Sequence, residues 1–214
     1  MAKFDYGLMY VTDDRIREDK LFFSILKSAL KGGVNSIQLR EKKCDTLSFY
    51  NRAVEVKKLC DNYKIPLIIN DRLDIALAVN AHGLHIGQKD IPYTIARKLL
   101  GKDKIIGLSV SNEKQAVEAN KLDVDYIGLS PIFTTSTKTL DLDNPLGIEG
   151  LKMMKNLSNK PIICIGGINI NNATDLIANG TDGIAVVSLI SEASNPELQT
   201  NKLKQLLCKS GLQL

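Results

Sequence analysis

Two aspartates, Asp71 and Asp90, follow two short apolar runs, and their positions suggest a shared binding site. The runs cover residues 67–69 and 84–86, and an amphipathic segment, residues 72–80, separates them. This order is typical of a β-α-β unit. Because neighbouring parallel strands end at the same edge of a sheet, we expect the two carboxylates to lie side by side.

Two neighbouring carboxylates could share one hard cation, with Asn70 as a neutral partner. Mg²⁺ suits such a site because it takes few protein ligands and keeps room for water and a substrate phosphate. The alternative is purely structural. Asp71 would then cap the following helix, and Asp90 would lie in a turn before Pro92.

Polar and cationic side chains lie at the end of the second predicted strand of the chain, residues 36–39. Gln38, Arg40 and Lys42 alternate along the chain, so in an extended segment they point to one side. Their combination favours an anionic ligand, and an arginine can grip a phosphate with two hydrogen bonds. The alternative is a surface charge cluster paired with Glu41.

Further polar groups end the fifth and sixth predicted strands. Ser109 belongs to the fifth, residues 105–110, and the sixth, residues 126–129, opens into a Ser/Thr-rich loop, residues 130–147. The loop is longer than a structural connection needs, and its length and polarity favour a lid over a substrate. Its hydroxyls and cation are Thr135, Ser136, Thr137 and Lys138.

The last two predicted strands end in small or uncharged residues instead of charged ones. Gly166 and Gly167 follow the seventh, residues 161–165, and Val187 and Ser188 lie at the end of the eighth, residues 183–187. Glycines allow backbone N–H groups to approach a phosphate, although the same pattern also fits a tight turn. Two cationic clusters, a carboxylate pair and a separate phosphate cradle together suit two phosphorylated substrates, one of which leaves pyrophosphate to the metal.

The two histidines are poor candidates for joint metal ligands. His82 and His85 are three residues apart around the fourth predicted strand, so they lie on opposite faces. We interpret His85 as a hydrogen-bonded interior residue. No arrangement of serine, cysteine and histidine in the sequence indicates a nucleophile.

The elements that position these residues alternate along the whole chain. Short apolar runs alternate with segments of helical period, and continuous apolar strands are typical of a parallel sheet covered by helices. Eight such repeats in 214 residues predict an α/β fold, a single-domain (β/α)8 TIM barrel spanning residues 1–214. A doubly wound sheet is less favoured because no GxGxxG motif occurs.

The composition excludes several classes of protein. The net charge of +4 is scattered, and no basic block with interleaved aromatic residues indicates nucleic acid binding. Four cysteines show no CxxC pair and no zinc spacing. No apolar run reaches the roughly 18–20 residues of a membrane span, and no signal pattern is present, so we expect a cytoplasmic protein without membrane contact.

At this point the residues resemble a known family, the thiamine-phosphate synthases, over nearly the whole chain. The resemblance rests on an ordered set of motifs: IQLREK at 37–42, IINDRLDIALAVNAHGLHIGQKD at 68–90, GLSV at 107–110, GLSPIFTTSTK at 128–138, ICIGGI at 163–168 and GIAVVSLI at 183–190. Members are single-domain barrels that join a hydroxymethylpyrimidine diphosphate to a thiazole phosphate and release pyrophosphate. Two positions depart from the family pattern GPIFPT, with Ser130 in place of glycine and Thr134 in place of proline.

The resemblance implies a role for each matching residue. Asp71 and Asp90 would hold Mg²⁺. The pyrimidine diphosphate would be bound by Gln38, Arg40, Lys42, Asn70, Ser109 and Lys138. The thiazole phosphate would be bound by Thr135, Ser136, Thr137, Gly167, Val187 and Ser188.

The implied mechanism needs no protein nucleophile. Mg²⁺, Arg40, Lys42 and Lys138 would neutralise the charge that builds on the departing pyrophosphate. The electron-rich aminopyrimidine would carry the resulting methylene cation, so ionisation would precede attack by the thiazole nitrogen. The protein would mainly position the nucleophile and exclude water.

Three other functions remain as alternatives. A thiazole tautomerase on the same barrel would need a general base, for which the sequence offers only His82 and His85. A catalytically silent binding protein should have lost an aspartate or Lys138, and neither is lost. Another phosphate-binding barrel isomerase would share only the glycines and Ser188. The sequence leaves a homo-oligomer open, since it does not give the oligomeric state.

Overall fold

The short apolar runs of the sequence form strands that close into a barrel in chain order. The computed structural model describes residues 5–135 and 144–212. Each strand pairs in parallel with the next, and the eighth pairs with the first. The strands are β1 (Leu8–Val11), β2 (Ser36–Leu39), β3 (Leu67–Asn70), β4 (Gly83–Ile86), β5 (Ile105–Val110), β6 (Tyr126–Leu129), β7 (Ile162–Ile165) and β8 (Gly183–Val186).

Helices follow the strands and cover the outside of the barrel. They are α1 (Asp19–Gly32), α2 (Thr46–Tyr63), α3 (Leu73–Ala78), α4 (Tyr93–Leu100), α5 (Glu113–Ala119), α6 (Gly147–Leu157), α7 (Ala173–Ala178), α8 (Ser188–Ser191) and α9 (Pro196–Lys209). Among the residues that the structure describes, no helix is long and apolar enough to cross a membrane.

Apolar side chains fill two separate spaces because successive strand residues point to opposite faces. The larger cluster lies between the strands and the helices, as with Leu8 and Tyr10 of β1. The smaller cluster fills the barrel interior and consists of Met9, Val11, Tyr126, Ile163 and Ala185. Strands covered on both faces explain the continuous apolar runs of the sequence.

A repeated hydrogen-bond pattern, which we call the strand-start clamp, joins the strands in pairs at the amino-terminal end of the barrel. The side chain of the residue before each even-numbered strand accepts a hydrogen bond. The donor is the backbone N–H of a residue at the start of the preceding strand. Asn35 Oδ1 accepts from Leu8 at 2.9 Å, His82 Nδ1 from Leu67 at 3.0 Å, Asp125 Oδ2 from Ile106 at 2.8 Å and Asp182 Oδ2 from Ile162 at 2.8 Å. In all four clamps the backbone N–H of the clamp residue also donates to the carbonyl of that same strand residue.

The structure confirms the predicted (β/α)8 barrel, and the local predictions differ from it mainly at element ends. Helix α5 is capped by the residue before it, since Asn112 Oδ1 accepts a hydrogen bond from Gln115 N at 3.0 Å. The amphipathic segment 72–80 forms a helix only over Leu73–Ala78. The short helix α8 was not predicted, because four residues are too few to show a helical period.

Candidate active site

The carboxyl ends of the strands surround one cavity of about 620 Å³. Every predicted site residue within residues 5–135 and 144–212 lines it. These residues are Gln38, Arg40, Lys42, Asn70, Asp71, Asp90, Ser109, Thr135, Gly167, Val187 and Ser188. The other three predicted residues, Ser136, Thr137 and Lys138, lie outside the described residues, as do residues 136–143 of the predicted lid.

Asp71 is held in an uncommon backbone conformation directly after β3. Its φ is +62°, in the left-handed region, which aspartate tolerates better than most residues. Its backbone N–H donates to the carbonyl of His85 at 2.8 Å. Helix α3 is preceded by Arg72 and has no side-chain cap. The alternative in which Asp71 caps this helix is therefore wrong, and its carboxylate contacts Lys42 Nζ instead.

Asp90 has both a structural contact and a contact with the first aspartate. Its Oδ2 accepts the backbone N–H of Gly87 at 2.6 Å, so Asp90 does close a turn. The same carboxyl group also lies close enough to the Asp71 carboxyl for the two to interact. Partial burial, and then the contact with the Asp71 carboxyl, raise the pKa of Asp90 above its ordinary value.

The acidic pair fits a hard divalent cation. Two carboxylates in contact repel each other unless a proton or a cation lies between them, and Lys42 already supplies one positive charge to Asp71. Within the described part of the chain, no group of three or more histidine, cysteine, aspartate or glutamate side chains could hold a metal ion. A cation on this pair would complete its coordination with water and ligand oxygens, as Mg²⁺ does.

Arg40 is fixed at the mouth of the cavity by the loop after β1. Its guanidinium Nη1 lies 2.5 Å from Asp14 Oδ1, and its backbone N–H donates to Thr12 Oγ1 at 2.9 Å. The alternative of a surface cluster neutralised by Glu41 is wrong. The Glu41 side chain is buried and pairs with Arg52 of α2 at 2.5 Å.

His85 is a hydrogen-bonded interior residue, as predicted. Its Nε2 lies 2.9 Å from Ser109 Oγ, and its Nδ1 lies 3.0 Å from the Tyr126 hydroxyl. The sequence did not reveal the contact with Ser109, because the two residues lie on neighbouring strands and 24 positions apart. His82 lies at the opposite end of the barrel, in a strand-start clamp.

The glycines after β7 have positive φ angles, +104° at Gly166 and +66° at Gly167. The loop after β6 packs directly on them. A Cβ atom at Gly167 would lie 2.4 Å from the carbonyl oxygen of Thr134, and Phe133 N donates to Gly166 O at 3.0 Å. Glycine is therefore required by backbone conformation and loop packing, beside any contact with a phosphate.

Helix α8 is held next to these glycines by the loop after β1. Ser191 Oγ donates to Asp13 Oδ2 at 2.9 Å, and Asp13 also pairs with Arg15 at 2.6 Å. Hydrogen bonds from Arg15 and Ser191 hold the pKa of the Asp13 carboxyl below its ordinary value, although burial opposes this. Asp13 therefore remains a charged anchor for the helix that begins with Ser188.

Sequence reasoning missed several polar residues of the cavity. Gln88 and Gln115 line it, and Gln88 Nε2 donates to the Ser109 carbonyl at 2.6 Å. Gln88 lies in the segment between β4 and Asp90, so its position at a strand end was an available signal. Asp14 had no such signal, because its pairing with Arg40 depends on the closed barrel.

Comparisons with known proteins agree on one family. Residues 8–190 match the family described as Thiamine monophosphate synthase. The chain is 46% identical over 199 residues to a thiamine-phosphate synthase of Clostridium botulinum strain Loch Maree, covering 93% of this chain and 97% of the relative. It is 48% identical over 193 residues to one from Clostridium acetobutylicum, covering 90% of both. The solved structure of a thiamine phosphate pyrophosphorylase from Pyrococcus furiosus is similar with a TM-score of 0.87, at 31% identity and 98% coverage of both chains.

Proposed function

The chain belongs to the thiamine monophosphate synthase family, and from this premise we propose that it joins a hydroxymethylpyrimidine diphosphate to a thiazole phosphate. The products would be thiamine phosphate and pyrophosphate. The protein is an enzyme, a transferase of thiamine biosynthesis. We place the reaction in the cytoplasm, because highly charged precursors do not diffuse through membranes.

One observation carries the proposal for the diphosphate end. The acidic pair Asp71 and Asp90 and the cations Lys42 and Arg40 line the same side of the cavity, on the neighbouring strand ends of β2 to β4. A neutral substrate would gain little binding energy from so many charged groups. A diphosphate with a divalent cation matches both signs of charge.

We propose that Asp71 and Asp90 hold Mg²⁺, whose positive charge would lower the energy of the leaving pyrophosphate. Lys42 would then release Asp71 and donate to diphosphate oxygens. Arg40 would do the same from the position that Asp14 gives it, and Lys138 would add a third cation. Gln38, Asn70 and Ser109 would bind the pyrimidine.

The opposite side of the cavity would hold the thiazole phosphate. Thr135, Gly167, Val187 and Ser188 line this side, and Ser136 and Thr137 follow Thr135 in the chain. The bond between the methylene carbon and the diphosphate oxygen would break first, with its electron pair leaving on pyrophosphate. The thiazole nitrogen would then form the new bond to that carbon. The apolar floor, which includes Met9, Ile163 and Ala185, would exclude water from the cation.

The decisive experiment is thiamine phosphate formation by the purified protein, given both phosphorylated precursors and Mg²⁺. We expect product from the wild type and a loss of about 100-fold or more in Asp71→Asn and Lys138→Ala. Asp103→Asn is the matched control, because it makes the same change at an exposed turn residue and should leave the rate unchanged. Binding of thiazole phosphate without product formation would refute the transferase proposal and favour the tautomerase or a silent binder.

A further inference from the structure

Three side chains, those of Tyr126, His85 and Ser109, form a hydrogen-bonded chain across the barrel interior, directly beneath the cavity. We propose that Tyr126 and His85 are positioning residues that fix the Ser109 hydroxyl as a hydrogen-bond donor toward the substrate. The Gln38 side chain lies beside the Tyr126 end of this chain. The role deepens the proposed function and rests on it, because Ser109 is a proposed ligand of the pyrimidine.

The contacts are short and lie away from bulk water. Tyr126 is 1% exposed and His85 is 8% exposed. The His85 ring lies between the Tyr126 hydroxyl, 3.0 Å from Nδ1, and Ser109 Oγ, 2.9 Å from Nε2. The two rings also stack, with centroids 5.5 Å apart and an interplanar angle of 29°. A hydrogen bond at such a site orients its partners strongly.

The direction of donation follows from the two ends of the chain. The Gln38 side chain lies beside the Tyr126 hydroxyl and favours its ionised form, as an amide N–H that faces the oxygen does, while Gln38 Nε2 also donates to Met9 Sδ at 3.5 Å. Burial outweighs this contact and raises the pKa of Tyr126, so the phenol keeps its proton. The O–H then donates to His85 Nδ1, and the ring carries its proton on Nε2.

With its proton on Nε2, His85 donates to Ser109 Oγ. The Ser109 oxygen then accepts from the ring, and its own O–H is directed into the cavity. In the other tautomer, Nε2 would accept a hydrogen bond from the Ser109 O–H, and the serine would offer lone pairs to the ligand instead. Tyr126 thus decides which group Ser109 recognises, namely an acceptor such as an unprotonated ring nitrogen of a pyrimidine.

The strands make room for this arrangement with two glycines. His85, Gly107 and Tyr126 are neighbours across β4, β5 and β6. A Cβ atom at Gly107 would lie 2.1 Å from Tyr126 Cζ and 2.6 Å from His85 Nδ1. A Cβ atom at Gly128 would lie 2.9 Å from His85 Cε1. Glycine weakens a strand, so two of them at one place indicate that the interior is shaped around the histidine ring.

The first test is the tautomer of His85, measured by long-range ¹H–¹⁵N NMR on the protein without substrates. The chain has two histidines, so in the His82→Asn variant all histidine ring signals come from His85. We expect a protonated Nε2 and an unprotonated Nδ1 in the wild type, and loss of that preference in Tyr126→Phe. A wild-type ring protonated on Nδ1 would overturn the proposal, whether or not the protein makes thiamine phosphate.

The second test is a double-mutant cycle with Tyr126→Phe and Ser109→Ala, read as kcat/KM for the pyrimidine diphosphate. Tyr126→Phe alone should lower it roughly 10-fold, which is the loss expected for one misdirected hydrogen bond. In the Ser109→Ala background the same change should alter it less than about 2-fold, because no hydroxyl remains to be oriented. Equal effects in both backgrounds would show a merely structural role and would overturn the proposal.

Tyr6→Phe is the matched control. It removes the hydroxyl of a neighbouring tyrosine that donates to the Asp125 carbonyl at 3.1 Å, away from Ser109, and it should leave kcat/KM unchanged. If Tyr126→Phe fails to fold, His85→Gln and His85→Leu decide instead. Gln can still donate to Ser109 and should retain about 10-fold more activity than Leu. Equal activity of the two variants would contradict the positioning role.

Discussion

The two ends of the barrel use polar side chains in opposite ways. At the amino-terminal end, Asn35, His82, Asp125 and Asp182 each accept one strand N–H in a strand-start clamp. At the carboxyl end, polar groups bond to one another around a cavity, as Lys42 does with Asp71 and Arg40 with Asp14. The clamp residues accept hydrogen bonds from backbone N–H groups of the sheet. The cavity residues instead form contacts with one another that a charged ligand can replace.

This difference has an energetic consequence. A clamp residue satisfies a backbone donor that would otherwise be left unpaired, so we expect it to stabilise the fold. The cavity residues instead include two carboxylates in contact and a non-glycine residue at φ +62°. Both features cost stability and are typical of a binding site. The comparison predicts that substitutions at one end lower stability and those at the other end lower activity.

The largest expected effect is on activity, in Asp90→Asn. The change removes one negative charge from the carboxylate pair but keeps an oxygen that can accept from Gly87 N–H. We expect thiamine phosphate formation to fall about 100-fold or more. The free energy of unfolding should rise, or stay within about 0.5 kcal/mol, because like-charge repulsion is relieved. Urea unfolding and a product assay on the same preparation test the stability and the activity predictions. A clear loss of stability would contradict the proposed difference between the two ends of the barrel.

The second effect is on stability, in Asp182→Ala. This change leaves the backbone N–H of Ile162 without its acceptor and Lys155 without its ion pair. We expect a loss of about 2 kcal/mol in the free energy of unfolding, with kcat and KM unchanged. Asp182→Asn is the matched control, because the amide oxygen still accepts, as in Asn35, and only an exposed ion pair worth under about 1 kcal/mol is lost. Equal losses in the two variants would show that the clamp contributes nothing.

Much of the fold could be predicted from the sequence because its signals are local. The apolar runs, the glycine that ends α1 and the Asn112 cap of α5 each depend on a few neighbouring residues. The strand-start clamps could not be predicted in this way. Each joins residues from 15 to 27 positions apart, and an Asn, a His and two Asp residues serve the same purpose. Their residue types share an acceptor atom but no sequence motif.

The candidate site shows the same division. The topology alone predicts that Asp71 and Asp90 meet, because both follow neighbouring parallel strands. The contact between His85 and Ser109 was missed because it depends on the side chains that neighbouring strands turn inward, and on the space left by Gly107 and Gly128. The sequence shows which residues end the strands, whereas interior contacts also depend on the register and closure of the barrel.

The smallest effect concerns His82, the one clamp residue whose side chain has an ordinary pKa near neutral pH. Burial of the ring, followed by the positive charge of Lys57, holds its pKa below the ordinary value of 6.5, and Lys104 adds to this while Asp61 opposes it. Protonation at Nδ1 would also remove the lone pair that accepts from Leu67 N–H. The unfolded chain therefore binds the proton more readily than the folded protein. The contribution of His82 is fully present above about pH 6.5 and is lost as the pH falls through the lower, folded-state pKa.

His82→Asn separates this titration from the clamp itself, because Asn35 shows that asparagine can act as the acceptor. At pH 8 the free energy of unfolding should change by under about 1 kcal/mol. Between pH 7 and pH 5 the wild type should lose more stability than the variant. Carboxylates that titrate in both proteins cancel in this difference, so urea unfolding at each pH isolates the histidine. Parallel pH profiles would mean that His82 does not titrate differently in the folded and unfolded states. The amino-terminal end of the barrel would then be insensitive to proton binding at this position, and only the cavity end would respond to charge.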